Sequence, residues 1–232
     1  AEDNDSFDLL LKAAMGDPDL RVRVAAIRSL ASLKDQRAAE RLIAQGREML
    51  IPIHGDPGPA RPGQKISNLT PIEVPIPKNE LLEIAAAIGR LLTNTENIAA
   101  ITFLDDLRFR DGYRSPETEI ALARIAPNAY LTKDRPGESY SDFRVAASYA
   151  QGLAAIADLK DDKLTVQAGG SLTKFVAAMA TGVRPADHAS MLKAMPELIG
   201  ALAALKPDNL DEILRSQLKN DDAFIRAAAA SA

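Results

Sequence analysis

Few side chains in this sequence stand at spacings that chemistry requires. The two histidines, His54 and His188, are far apart, and neither has a second His or a Cys at ligand spacing. A zinc or iron site needs three or four such donors. The chain has no cysteine, which removes disulfide frameworks, zinc ribbons, iron–sulfur clusters and thiol nucleophiles. Acidic pairs occur at Asp105-Asp106, Asp161-Asp162 and Asp221-Asp222. The last two stand where helices begin, and carboxylates there satisfy free backbone N–H groups and the helix dipole. Asp105, Asp106, Asp111 and Glu117 form a carboxylate-rich stretch whose geometry nothing fixes. Ala168-Gly169-Gly170-Ser171 lacks the preceding strand of a phosphate loop and reads as a helix break or a close-packing site. No serine has His and Asp partners for a hydrolytic triad. No catalytic residue, metal site or cofactor is expected.

Arginine and tyrosine are the exception. Arg108, Arg110, Tyr113 and Arg114 flank one loop, and Tyr130, Arg135 and Tyr140 the next. These residue types dominate binding hot spots, so all seven are candidate contacts to a protein or peptide partner. The plainer alternative is a solvated surface.

The elements that must position these residues are helices. The chain has 232 residues, among them 41 alanines and 28 leucines, with only 4% aromatics and no Trp. Ala and Leu lose least on entering a helix, so the composition implies an all-α fold. Lys+Arg 28 against Asp+Glu 32 gives a net charge of −4, which argues against a nucleic-acid partner. No apolar run reaches the length of a membrane span. The opening Ala1-Glu2-Asp3-Asn4-Asp5-Ser6 suits a mature N-terminus left by small-residue cleavage, which would place the chain outside the cytoplasm. It suits a domain boundary equally well.

Leu20, Val24, Ile27 and Ala31 recur at helical spacing, with Arg21, Arg28 and Ser32 opposite. Asp17 and Pro18 read as N-cap and first helical position. After the break at Lys34-Asp35, a second helix carries Ala39, Leu42, Ile43 and Leu50. The two form an antiparallel hairpin. The phrase opening at Leu20 then recurs at Leu82–Leu91, at Phe143–Leu153, more weakly from Leu192 to Leu205, and again from Asp221. Its anchor runs Arg23, Glu83, Arg144, Lys193, Arg226, at intervals that shorten from 60 to 33 residues. A repeat of helix pairs at this period signals an α-α superhelix. Small residues such as Ala25, Ala26, Ala86, Ala146 and Ala147 let helices approach, and recurrent Asp and Arg are placed for a charge ladder between repeats.

The run Asp17-Pro18-Asp19-Leu20-Arg21-Val22-Arg23-Val24-Ala25-Ala26, closing in Leu33-Lys34-Asp35-Gln36-Arg37-Ala38 and Leu42-Ile43, resembles a bacterial HEAT repeat. Residues 140–164 match moderately, and residues 221–229 match the opening. At the second copy Glu83 replaces the Arg, and at the fourth Met195-Pro196 interrupts the Ala run. The resemblance implies a HEAT-like solenoid of about five helix pairs and says little of function. It also implies a concave face lined by the second helix of each pair, here Arg41, Arg47, Thr95 and Asn97.

Two irregular inserts interrupt the repeats. Residues 51–78 hold seven of the fourteen prolines and cannot be helical throughout. Ile72, Val74 and Ile76 allow a short extended segment there. The second insert, residues 108–138, contains a short helix near residues 116–125 and a loop from Ala126 to Glu138. The whole of residues 1–232 reads as one repeat domain. Its last helix leaves the Ala227–Ala230 face without a cap, so the natural chain is expected to continue.

The expectation that follows is a non-catalytic scaffold for a protein or peptide partner, with no membrane or nucleic-acid contact and an open oligomeric state. The alternative comes from resemblance alone. Ala-rich bacterial HEAT arrays are sometimes fused to a cyclophilin-type prolyl isomerase, and these repeats would then recruit or space its substrate. HEAT-like alkylpurine glycosylases have a basic, aromatic groove that this acidic, Trp-free chain does not match. No residue here argues for or against a bilin-lyase-like protein.

Overall fold

The computed structural model describes residues 2–50, 54–55, 72–73, 78–108, 115–133, 142–182 and 192–232. The described residues are almost entirely helical. The helices are α1 (Glu2–Gly16), α2 (Leu20–Leu33), α3 (Arg37–Leu50), α4 (Lys78–Leu91), α5 (Ile98–Arg108) and α6 (Pro116–Ile125). They continue with α7 (Pro127–Lys133), α8 (Phe143–Ala155), α9 (Asp162–Gly182), α10 (Met195–Leu205), α11 (Leu210–Gln217) and α12 (Ala223–Ser231). The exception is one short antiparallel pairing, β1 (His54–Gly55) with β2 (Ile72–Glu73). It places part of the expected extended segment; Val74 and Ile76 lie outside the described residues. No helix among the described residues is long and apolar enough to cross a membrane.

Local chemistry sets the helix boundaries. Asp19, rather than Asp17, caps α2: its carboxylate accepts from the Arg21 N–H at 2.8 Å, and Asp17 turns back to accept from the Asp19 N–H at 2.8 Å. Pro18 therefore precedes the helix. Asp142 caps α8 and Asp222 caps α12 in the same way. Asp161 accepts from the Leu164 N–H at the start of α9. Ser115 and Thr118 form a reciprocal capping box ahead of Pro116 on α6. Lys34, Lys160 and Lys206 all adopt left-handed backbone, with φ of 56°, 56° and 48°. Each stands at the turn into α3, α9 or α11, where a helix usually stops at such a residue.

Three expectations need correction. The segment read as a loop after Ala126 holds α7, because Pro127 suits a first helical turn. Gly169-Gly170 does not break α9, which runs through both; a Cβ on Gly169 would meet Pro207 and Leu205 at 3.4–3.8 Å, which is the close-packing reading. The repeat register also slips. Arg23 and Arg226 stand four residues after their aspartate caps, but Arg144 stands two after Asp142, and Lys193 lies in the 3₁₀ turn Leu192–Ala194.

Packing follows chain order in two layers. In the first, α1 packs on α2, α2 on α4, α4 on α6, α6 on α8, α8 on α10 and α10 on α12. In the second, α3 packs on α5 and α7 on α9, and α3 and α5 also touch the first-layer helices that follow them. The apolar stripes of both layers merge into one core running from Phe7 to Ala229, with Ile27, Leu42, Ile84, Phe103, Ile125, Leu153 and Leu202 at or near its centre. Gly89 shows how tightly α4 and α6 approach. A Cβ there would lie 2.7 Å from the Ala121 Cα.

Candidate functional site

The polar residues that join successive helices are the most ordered chemistry in the fold. Glu80 starts the buried stripe of α4 and is fully buried. Arg23 of α2 meets it in a two-point clasp, with Nε donating to Oε1 and Nη2 to Oε2, both at 2.9 Å. Gln45 of α3 adds a donor to Oε1 at 3.2 Å. A buried carboxylate needs this company, because taking its charge out of water is otherwise very costly. The hydrogen bond to Glu80 and the charge beside it hold the Arg23 guanidinium above its ordinary pKa. The remaining Arg23 donor, Nη1, points back to the carbonyls of Asp17 and Pro18 at 2.8 and 3.4 Å.

A second ladder rung lies on the surface. Arg28 of α2 donates to Glu83 of α4 at 2.8 Å, with its side chain 64% exposed. Arg124 of α6 donates to Asp158, just beyond α8, at 2.8 Å. Ion pairs thus link α2 to α4 through Glu80 and Glu83, and α6 to the turn after α8 through Asp158. The recurrent aspartates cap helices instead.

A second fully buried carboxylate lies where α5, α6, α7 and α8 meet. Arg108 clasps Glu119, with Nε to Oε1 at 2.9 Å and Nη2 to Oε2 at 3.1 Å; the side chains are 4% and 0% exposed. Tyr130 donates its hydroxyl to Glu119 Oε2 at 2.7 Å. Burial first, and then the Glu119 charge, push the Tyr130 phenol well above its ordinary pKa, so it stays a neutral donor. Tyr149 packs 5.8 Å from the Tyr130 ring and meets Phe175 edge-on at 5.2 Å. Gly152 on α8 leaves room for the phenol. A Cβ there would collide with the Tyr130 hydroxyl and lie 2.9 Å from its Cζ.

These positions redistribute the candidate binding residues. Arg108 and Tyr130 are buried and serve each other through Glu119, so neither presents a side chain to a partner. They reached the core because each has a partner there. Arg41 and Arg47 are exposed on α3. Arg47 rests its guanidinium on the Ala99 carbonyl of α5 at 3.1 Å, and Arg41 makes no ion pair among the described residues. Thr95 and Asn97 are not on a second-layer helix. They sit in the α4–α5 turn, where Asn97 accepts from the Ala100 N–H at 2.9 Å and Thr95 donates to the Leu92 carbonyl at 2.7 Å. Arg110, Tyr113, Arg114, Arg135 and Tyr140 lie outside the described residues, as do His188 and most of the proline-rich insert 51–78.

Glu80 and Glu119 were missed by sequence reasoning, and a signal for them exists. Glu80 shares a helical stripe with Ile84, Ala87, Ile88 and Leu91, and Glu119 shares one with Leu122, Ala123 and Ala126. A carboxylate on an apolar stripe calls for a cation or donors beside it, and half-buried Arg23 and buried Arg108 supply them.

Elsewhere, an open groove of about 530 Å³ is lined by Asp208, Asn209, Asp211, Glu212 and Arg215 at the start of α11. Among the described residues, no group of three or more His, Cys, Asp or Glu is placed to hold a metal ion. Large apolar side chains stand exposed at Ile98 on α5 and Val166 on α9, at 79% and 74%. No protein-family model matches the chain, and no curated protein is significantly similar to it.

Proposed function

We propose that this chain is a HEAT-like α-solenoid of about five helix pairs that acts as a non-catalytic scaffold for a protein or peptide partner. The observation that carries the reading is the packing order: each first-layer helix rests on the next one along the chain. A stack built that way grows in one direction and leaves a long side of second-layer helices open to a partner. The second-layer helices carry exposed Arg41 and Arg47 on α3, Ile98 on α5 and Val166 on α9. Guanidinium groups beside apolar side chains suit an extended peptide carrying carboxylates.

The test is affinity capture from lysates with the purified chain, followed by titration of any captured protein. Saturable binding that Arg41→Glu with Arg47→Glu weakens at least about tenfold supports the reading. Failure to recover a saturable partner, or binding indifferent to both substitutions, counts against it.

A further inference from the structure

The turn between α4 and α5 is built differently from the other tight turns of the fold. Lys34, Lys160 and Lys206 each stop a helix in left-handed backbone, and each donates its N–H back into its own segment, to the carbonyl of Ala31, Ala157 or Leu202. The α4–α5 turn holds two left-handed residues, Asn94 at φ 56° and Glu96 at φ 52°. Asparagine tolerates that backbone, but glutamate enters it only at a cost in local energy. The Glu96 side chain is exposed and makes no hydrogen bond or ion pair among the described residues, so it does nothing to offset that cost. Its backbone does. Asn94 N–H donates to the Arg124 carbonyl at 2.7 Å, and Glu96 N–H to the Ile125 carbonyl at 3.0 Å. Both acceptors belong to α6, in the next helix pair.

The sequence leaves those acceptors open. In an uninterrupted helix the carbonyls of Arg124 and Ile125 would take N–H groups four residues on. Pro127 prevents this, because the residue before a proline leaves helical backbone, and Ala126 stands at φ −136° and ψ 67°. Two carbonyls at the end of α6 are left for outside donors. Gly89, in the last turn of α4, brings the donors within reach, since a Cβ there would sit 2.7 Å from the Ala121 Cα. Thr95 and Asn97 stiffen the turn through their bonds to the Leu92 carbonyl and the Ala100 N–H. Arg124 passes the link on. Its guanidinium donates at 2.8 Å to Asp158, in the 3₁₀ turn Ala157–Leu159 between α8 and α9. One residue thus joins the turns of successive helix pairs.

We infer that the turn Leu92–Asn97 is a strut that fixes the angle at which the α4–α5 pair stands on the α6–α7 pair. Glu96 takes left-handed backbone because that conformation aims its N–H at the end of α6. With the strut made, the second-layer helices on either side of it keep one relative orientation. Without it, α4 and α6 rock about their apolar contact. The inference rests on the scaffold reading only for the use of a fixed angle, which is to present the second-layer helices to a partner in one shape.

Two measurements on the full 232-residue chain test it. The first is amide hydrogen exchange of the unaltered protein. The Asn94 and Glu96 amides are expected to exchange at least about 100-fold more slowly than those of Asn97 and Ile98, which have no acceptor among the described residues. The second places nitroxide labels at Arg41→Cys on α3 and Val166→Cys on α9, two exposed sites on either side of the strut in a chain with no other cysteine. Glu96→Gly keeps the N–H and removes the cost of left-handed backbone, so the distance distribution should stay as narrow as in the parent. Glu96→Pro removes the donor and cannot adopt φ 52°, so the distribution should broaden at least about twofold while circular dichroism shows helix content kept. Equal exchange of the four amides, a broader distribution with Glu96→Gly, or an unchanged one with Glu96→Pro overturns the inference. If Glu96→Pro does not fold, the exchange rates and Glu96→Gly decide. Neither readout involves a partner, so this inference and the capture experiment fail separately.

Discussion

Replacing Arg108 by methionine isolates the energetics of the buried junction between α5, α6, α7 and α8. The variant keeps most of the side-chain volume and removes the charge. Glu119 then stays fully buried, keeping the Tyr130 hydroxyl at 2.7 Å but losing the two-point Arg108 clasp. Breaking a buried pair from one side costs about 3–5 kcal/mol, because the remaining charge is uncompensated. For a chain of this length each kcal/mol lowers the melting midpoint by about 2–4 °C, so a fall of roughly 6–20 °C is expected. Removing both charges, with Arg108→Met and Glu119→Leu together, should cost far less than the sum of the single changes. Burying a charge pair costs about as much as the pair gains, and replacement by apolar side chains is often neutral. The assay is thermal and urea denaturation followed by circular dichroism, read as midpoints because a chain of successively packed helices need not unfold in one step. A fall below about 2 °C for Arg108→Met, or additive losses in the double variant, would refute the assignment of a tight, desolvated pair.

Three further outcomes are expected. Arg23→Leu, which strands the buried Glu80, should cost about 3 kcal/mol or more in urea midpoints, whereas Arg28→Leu should cost under about 1 kcal/mol because Arg28 is exposed and Arg90 still flanks Glu83 at 3.5 Å. Gly89→Ala should destabilise by about 1–3 kcal/mol although alanine favours helix, since its Cβ would press on the Ala121 backbone; equal or greater stability would show that α4 and α6 can separate freely. The folded state holds the Tyr130 proton above the ordinary phenol pKa of 10.0. Its contribution is therefore complete below about pH 10 and is lost as pH rises toward the folded-state value. Tyr130→Phe should flatten the alkaline limb of a stability–pH curve, and an unchanged slope would contradict the buried donor.

The helices were legible because their signals are local. The Leu20, Val24, Ile27, Ala31 spacing needs no tertiary knowledge, and Ser115-Pro116 announces α6. Boundaries were less so. Asp17, Pro18 and Asp19 all suit a helix start, and only the direction in which each carboxylate turns selects Asp19 as the cap. The repeat register was misread for a related reason. Val-Arg and Arg-Val runs repeat in composition, but the structural punctuation is the left-handed lysine in Leu33-Lys34-Asp35, Leu159-Lys160-Asp161 and Leu205-Lys206-Pro207. Those three tripeptides each stand where one helix ends before the next. The site was harder still. Arg108 and Tyr130 carry the residue types of a binding surface, and nothing local says that Glu119 waits in the core for both. Long-range complementarity of that kind is settled by packing, because one buried carboxylate draws in whichever donors can reach it.

Small-angle scattering in solution tests the solenoid claim most directly. The seven first-layer helices among the described residues, spaced about 10 Å apart, make a stack about 60–70 Å long, for which a radius of gyration of about 22 Å is expected. A compact globule of 232 residues would give about 17 Å. A monomer near 22 Å with an elongated distance distribution is the result expected. A monomer near 17 Å with a symmetric distribution would mean that the helices close into one globular bundle, and the open scaffold would have to be abandoned.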